Sequence, residues 1–417
     1  MFHLFQHYPS SRPLKFDSVL REEFERRSIA AELKPGMRIA VGIGSRGISN
    51  LAQIVTTVLD LIRESGAEPF IVPAMGSHGG ATPSGQQNVL AEFNITPDSI
   101  HASFESSMDV LEIGRFFQEY PVVFSSAALK ADGVVVINRV KPHTDFFGNL
   151  GSGLQKMLAI GFGKHTGAIN AHRAASRLGH EVVIRETAKV ILNKVHVLFG
   201  VAILEDQHHE THSVHVIPGN DIPEKEDALF SEARELLPRL PFPNIDLLIV
   251  DEIGKEISGT GMDTNVIGRG VLGYVASLQP SGGTEPHISR IFVRNLTSAT
   301  NGNAIGIGLA DFTTTRLVHA INRQYMYTNA LTSLGLPTAK IPMYFDTDSG
   351  AIRHALDSIG KESIAELKIV RIKNTLHLQH MLVSERLAVD AAAMLGVELR
   401  GAPEKLDFNE EGNLLAF

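Results

Sequence analysis

The 417-residue sequence has no cysteine and no tryptophan. Without thiols, disulfides, thiolate zinc sites and cysteine-held iron–sulfur clusters are excluded. Any metal must be held by histidine, carboxylate or a cofactor's own donors. No run of about 18 apolar residues occurs, so no membrane-spanning helix is expected. The N-terminal MFHLFQHYPSSRPLKF lacks the apolar core of a signal peptide, and the expectation is a cytoplasmic protein. Positive charge is also scarce. Lys and Arg number 38 against 46 Asp and Glu, a net charge of −8, which argues against a nucleic-acid footprint. Repeats, low-complexity tracts, a Walker lysine and a full dinucleotide fingerprint are all missing.

What remains is globular in composition, with 43% hydrophobic and 20% charged residues. The length exceeds one typical core, so two domains are expected. The proline-rich Leu236–Asn244 stretch, LLPRLPFPN, lies between a charged helix and a new strand and sets the expected boundary. The domains are then 1–243, holding cofactor and catalysis, and 244–417, closing over substrate.

One stretch organises the chain. Arg139 to Arg173 packs three histidines, three lysines, an aspartate and six glycines into 35 residues. The preceding Gly133–Ile137 is short, apolar and β-branched, and reads as a buried strand. His143 then falls in the loop past its carboxyl end, where open α/β sheets bind ligands. Lys156 follows, and His172 comes sixteen residues later. A glycine-rich solvated loop is the bland alternative. Against it, Phe146, Phe147, Leu150, Leu154, Met157 and Leu158 interleave with the polar residues and must be buried somewhere.

Two earlier loops have the same placement. Met37–Ile43 reads as a strand, Gly44-Ser45-Arg46-Gly47 as a turn, and Ile48–Arg63 as an amphipathic helix. Strand, glycine turn and helix start form a natural anion site, although an ordinary βα turn is the commoner outcome of this pattern. Glu68–Pro73 is a second strand, followed by a loop containing His78; Thr82 and Pro83 then open a helix. Three polar loops after three strands can converge on one end of a sheet. Residues 101–132 carry little signal. Val182–Leu192 reads as helix and Val195–Leu204 as strand. In the histidine-rich segment 207–215, a strand would align His208, Glu210 and His212 as a metal set, but a hairpin turn fits the flanking residues better.

The second half opens with strand Ile245–Val250 and a glycine-rich loop, 251–269, containing Asp263, Asn265 and Arg269. Asp263 is as well suited to cap a helix as to meet a ligand. Strand Ile288–Leu296, helix Thr313–Asn329, and strands Lys340–Phe345 and Leu367–Ile372 follow.

The pattern PH…FFG…GSGLQK…INAH resembles the nickel-dependent lactate racemase family. The resemblance implies two α/β domains with the active site in the cleft between them, the usual place for a small-molecule site. It implies His78 and His143 as an acid/base pair. Lys156 would carry a nickel-pincer nucleotide (pyridinium-3,5-bisthiocarboxylic acid mononucleotide nickel) through a covalent bond. His172 would be a nickel ligand, Ser45 and Arg46 would hold the cofactor, and Asp263, Asn265 and Arg269 would face the substrate. Cofactor-synthesis proteins are the implied partners, with no role for nucleic acid or membrane. The implied reaction is racemisation or epimerisation of a 2-hydroxy acid through transient hydride transfer. A transhydrogenase using the same site, or a non-catalytic nucleotide- or metal-binding protein, stays open. The chain departs from the family at Ile43, Gly47, Gly79 and Gly268, and has about three extra residues between His143 and Lys156. Gly268 stands near a family glutamine, and the family's aromatic wall has no tryptophan to build it here. The resemblance thus implies a substrate larger than lactate.

Overall fold

The computed structural model describes residues 1–44, 47–271, 286–361 and 363–416. They form two compact α/β units. The N-terminal unit comprises Ser10–His143 and Phe147–Leu237; the C-terminal unit comprises Met1–Pro9, Thr144–Phe146 and Pro238–Phe417.

The N-terminal unit is built on a five-stranded sheet. Its strands are β2 (Arg38–Ile43), β3 (Glu68–Pro73), β6 (Gly133–Arg139), β7 (Val197–Glu205) and β8 (Thr211–Pro218), in the order β3-β2-β6-β7-β8. The first four run parallel, and β8 returns antiparallel to β7. Parallel strands covered on both faces are apolar throughout rather than alternating, as the GVVVI of β6 shows. Alternate side chains feed two cores. Ile39, Val41 and Ile43 join helices Phe16–Arg26 and Leu51–Glu64 on one face. Ala40, Val134 and Val136 join helices Lys164–Leu178, His180–Lys194 and Ile222–Glu235 on the other.

Gly42, on that second face, has a steric reason. A Cβ there would collide with the ring of Phe162, which is fully buried and stacks on Phe124 at 4.8 Å. The low-signal residues 101–132 contain an antiparallel ribbon, β4 (Val110–Phe116) with β5 (Tyr120–Ser125). The histidine-rich segment is a hairpin turn between β7 and β8, closed by Asp206 accepting from the backbone N–H groups of His208 (2.9 Å) and Glu210 (3.1 Å).

The C-terminal unit has eight strands. These are β1 (Phe2–Gln6), β9 (Asn244–Ile253), β10 (His287–Leu296), β11 (Phe312–Thr314), β12 (Met343–Phe345), β13 (Ile369–Ile372), β14 (His380–Val383) and β15 (Val397–Arg400), in the order β12-β11-β10-β9-β13-β14-β1-β15.

Two expectations are corrected. The first strand does not go with the residues that follow it, because β1 pairs with β14 and β15 and buries Leu4 in the C-terminal core. The division therefore lies at Leu237/Pro238 and leaves Met1–Pro9 in the other unit, not at 243/244. The helix expected over Thr313–Asn329 is strand β11 followed by helices Thr315–Ala320 and Arg323–Ser333. Thr314 and Asn322 each place a side-chain oxygen on a backbone N–H three residues ahead, so each starts a helix.

The packing at Gly42 supplies a stability test. Gly42→Ala inserts a methyl group against Phe162, and urea unfolding should show a loss of about 1–3 kcal/mol, the usual cost of overpacking.

Candidate active site

The parallel register aligns the strand ends that carry the candidate loops. Ile43 pairs with both Pro73 and Ile137, so β3, β2 and β6 finish side by side. The turn after β2 contains Ser45 and Arg46, which lie outside the described residues. His78 is exposed on the loop after β3. His143 is half-buried on the loop after β6, two residues beyond a backbone pair that closes that loop: Lys141 N to Ser152 O at 2.9 Å and Ser152 N to Lys141 O at 2.8 Å.

Lys156, also half-buried, ends the single turn Leu154–Lys156, and a π-helical turn, Met157–Gly161, follows at once. Such wide turns are rare and gather at functional sites. Gly161 lies against the loop of His78, where Gly76 N donates to Gly161 O at 3.2 Å. The turn after Lys156 and the loop of His78 are thus joined through backbone.

His172 projects from helix Lys164–Leu178 towards His180, the first residue of the next helix; their rings stand edge to face with centroids 5.8 Å apart. His180 is driven down to about 3 by burial first, then by His172 and Lys156. It is therefore a neutral imidazole near neutrality. The same dependence brings Lys156, His172 and His180 into one electrostatic neighbourhood.

Two buried ionisable groups bracket the segment. Lys164 has no exposed surface, and its Nζ donates to Pro73 O (2.6 Å) and to Gln86 Oε1 (3.3 Å). Gln86 in turn donates to Gly76 O (3.0 Å) and His78 O (3.4 Å). Lys164 thereby supports the loop of His78 from beneath, and burial lowers its ammonium to about 8. At the other end, Glu226 accepts from Gln155 N at 2.9 Å. Burial pushes its carboxyl up to about 7, against the opposing pull of the Gln155 hydrogen bonds.

Sequence reasoning missed Lys164, Gln86, His180 and Glu226. A signal existed for Glu226, which interrupts the apolar stripe Ile222, Phe230, Ala233 of its helix with a carboxylate. Lys164 gave none, because its burial depends on strands distant in sequence. His165 is exposed on the first turn of helix Lys164–Leu178.

The candidate substrate residues of the second half have structural duties. Asp263 caps helix Thr264–Ile267, accepting from Asn265 N and Asn265 Nδ2, both at 2.9 Å. Gly268 ends that helix in the left-handed region (φ 64°), which explains glycine there without reference to a pocket. Arg269 donates to Leu309 O (2.7 Å), Ile288 O (3.1 Å), Ser289 O (3.3 Å) and Asp311 Oδ2 (2.7 Å). The guanidinium of Arg269, expected to face the substrate, has four acceptors within the fold.

Among the described residues, no group of three or more His, Asp or Glu is placed to hold a metal ion. A metal near His172 would need most of its donors from a bound cofactor. One imidazole beside one lysine amine fits a group that brings its own ligands and is tethered. None of the described helices is long and apolar enough to cross a membrane.

Residues 39–222 match a family model described as a domain of unknown function, DUF362. No curated protein matches the chain. Among solved structures, the fold is similar to the lactate racemase apoprotein from Thermoanaerobacterium thermosaccharolyticum. The TM-score is 0.55 at 14% identity, covering 89% of this chain and 94% of that one. A protein from Thermotoga maritima gives a TM-score of 0.53 at 13% identity, covering 89% and 99%. At these identities the likeness is one of fold.

The buried carboxyl yields a pH test. Its folded value lies above the ordinary 4.5, so the folded state holds a proton that the unfolded state has released. Stability from this group is complete below about 4.5 and is lost as pH rises through 7. Glu226→Gln cannot titrate, and its stability relative to wild type should rise by about 1–3 kcal/mol between pH 4.5 and pH 8. A pH-independent difference would show that the carboxyl does not titrate in this window.

Proposed function

We propose that the protein is an isomerase that racemises or epimerises a 2-hydroxy acid, with a nickel-pincer nucleotide held in the N-terminal unit. The observation that carries this reading is the grouping of Lys156 and His172 around His180, joined by backbone to the loop of His78 at the ends of three adjacent parallel strands. The fold likeness to a lactate racemase apoprotein supports it.

When bound, the cofactor supplies a reversible acceptor for the substrate's Cα hydride. Lys156 would tether it, and His172 would offer an imidazole nitrogen to its metal. The remaining work falls to the chain. Inverting a carbon centre requires a proton acceptor at the hydroxyl oxygen of either enantiomer, and later a donor to the same oxygen. His78 and His143 fill that requirement in this proposal, because imidazole is the side chain that can both accept and donate a proton in general acid–base catalysis. Lys164 and Gln86 fix the backbone on which His78 stands, so the imidazole starts from a defined position. With no tryptophan in the chain, the substrate is proposed to be larger than lactate, such as a sugar acid or an aryl- or branched-chain hydroxy acid. Arg269 would meet the substrate carboxylate only with donors left over from Leu309 O, Ile288 O, Ser289 O and Asp311, its partners in the fold.

The covalent tether gives the primary test. Protein produced together with the cofactor-synthesis machinery should show a nucleotide-sized mass increase mapping to Lys156, with nickel near one per chain. An unmodified Lys156 would overturn the proposal. His172→Ala should lose nickel while keeping the thermal unfolding profile of wild type.

Kinetics address the acid/base pair. On the cofactor-loaded enzyme, His78→Ala and His143→Ala should each lower turnover by about 10²–10⁴. His208→Ala and His212→Ala, in the hairpin turn, should leave it unchanged. Optical rotation across a panel of 2-hydroxy acids identifies the substrate. Release of keto acid in place of inversion would identify a transhydrogenase.

A further inference from the structure

Helix His180–Lys194 does more than place His180 against His172. Its first two turns also carry Glu181 and Arg185, and both reach the loop of His143. Glu181 Oε2 accepts from Asn149 N at 3.1 Å, and Arg185 Nη2 donates to Asn149 O at 3.4 Å. The two side chains, paired to each other at 3.0 Å, thus take both backbone groups of one residue, as a neighbouring strand would. Gly148 completes the fit: a Cβ there would lie 2.4 Å from Glu181 Oε2, so glycine lets the carboxylate come this close. Arg185 is steered from its other side by Asp227, on helix Ile222–Glu235, whose two oxygens accept from both terminal nitrogens at 3.0 Å.

Backbone satisfaction does not require this arrangement. Asn149 is exposed, so water would serve its N–H and C=O equally well. Global stability does not require it either. Arg185, Glu181 and Asp227 are 29%, 31% and 42% exposed, and ion pairs open to solvent contribute at most about 1 kcal/mol. What the contacts do is fix a position. The outgoing limb of the loop is held at Lys141 by its pair with Ser152, and His143 follows two residues on. With Asn149 held as well, the tip 142–148 is a short span fixed at both ends. Without the clamp Gly148 and Asn149, both exposed, would swing, and the tip would move with them.

We propose that Glu181 and Arg185 are positioning residues for His143: by clamping Asn149 they hold the loop tip, and with it the imidazole, where it takes and returns the proton of a substrate hydroxyl. This assignment rests on the acid/base role given to His143 above. Consecutive residues of one helix, His180 and Glu181, then serve two parts of the site, the first against His172 and the second on the loop of His143.

Two measurements separate position from chemistry. On the apoprotein, carbethoxylation of His143 by diethyl pyrocarbonate is followed by peptide mass spectrometry, with the exposed His101 as internal reference, and amide hydrogen exchange is read over residues 143–152. Glu181→Ala and Arg185→Met should each speed both by at least about threefold. Glu181→Gln, which keeps an acceptor oxygen for Asn149 N, should stay near wild type. On the cofactor-loaded enzyme, Glu181→Ala and Arg185→Met should lower kcat about tenfold or more while KM changes less than about threefold, because substrate still binds and the proton acceptor is displaced. Arg115→Met removes an exposed ion pair with Glu112 on β4 and should change none of these. Thermal unfolding of all the variants should stay close to wild type. Labelling and exchange unchanged in Glu181→Ala and Arg185→Met, or faster labelling with kcat unchanged, would overturn the proposal. Failure of the isomerase reading itself would show as an inactive loaded wild type, an outcome distinct from a clamp that apoprotein labelling finds absent.

Discussion

The candidate site depends on two ionisable groups buried at the ends of one short segment. Lys164 and Glu226 bracket residues 155–164, and neither faces solvent. Burying an ammonium or a carboxylate is costly unless hydrogen bonds replace the lost water. Here they do so selectively. Lys164 holds Pro73 O and Gln86, and Glu226 holds the amide of Gln155. The bonds fall where the chain leaves regular structure, on both sides of a single helical turn and the π-helical turn that follows it. Removing either group would leave its partners buried and unsatisfied, which is dearer than the net worth of the bonds themselves.

From this anchoring the geometry of the site follows. The segment can keep its wide turn because both ends are fixed, and that turn supplies Gly161 O to Gly76 N in the loop of His78. Gly42 completes the arrangement by leaving room for the ring of Phe162 against the sheet. A site on loops is thus held by a core of strands, a buried lysine and a buried glutamate. Loops positioned by a rigid scaffold are the usual carriers of function.

The C-terminal unit uses buried charge in another way. Asp251, Arg294, Asp348 and Arg371 form a network below the surface: Arg294 bonds Asp251 at 2.9 Å and Asp348 at 2.8 Å, and Arg371 forks onto Asp251 at 2.9 and 2.7 Å. The same arginines hold the tail through Leu414 O at 2.6 Å and Leu415 O at 2.7 Å. Arg269 follows this pattern, tying β10 to the loop before β11. An arginine in a glycine-rich loop is, in sequence, equally suited to hold a substrate or a carbonyl. Its neighbours in space decide, and here they are carbonyls and Asp311.

What the sequence determined by itself is local and periodic. Strands β2, β3, β6, β7 and β9 were legible because buried parallel strands are short apolar runs. The cap at Thr82 and the hairpin between β7 and β8 were legible because their chemistry is satisfied within a few residues. The loops of His78 and His143 followed from those strands, since each begins where an apolar run stops. Tertiary structure decided everything that required knowing a distant neighbour. It assigned β1 to the other unit's sheet, because a five-residue strand carries no mark of the distant strands it pairs with. It turned Arg269, Asp263 and Gly268 to structural use, and it buried Lys164 91 residues from the carbonyl it holds. A charged side chain looks the same in sequence whether it meets water, a ligand or a backbone oxygen, and only the folded chain fixes which of these lies within hydrogen-bond reach.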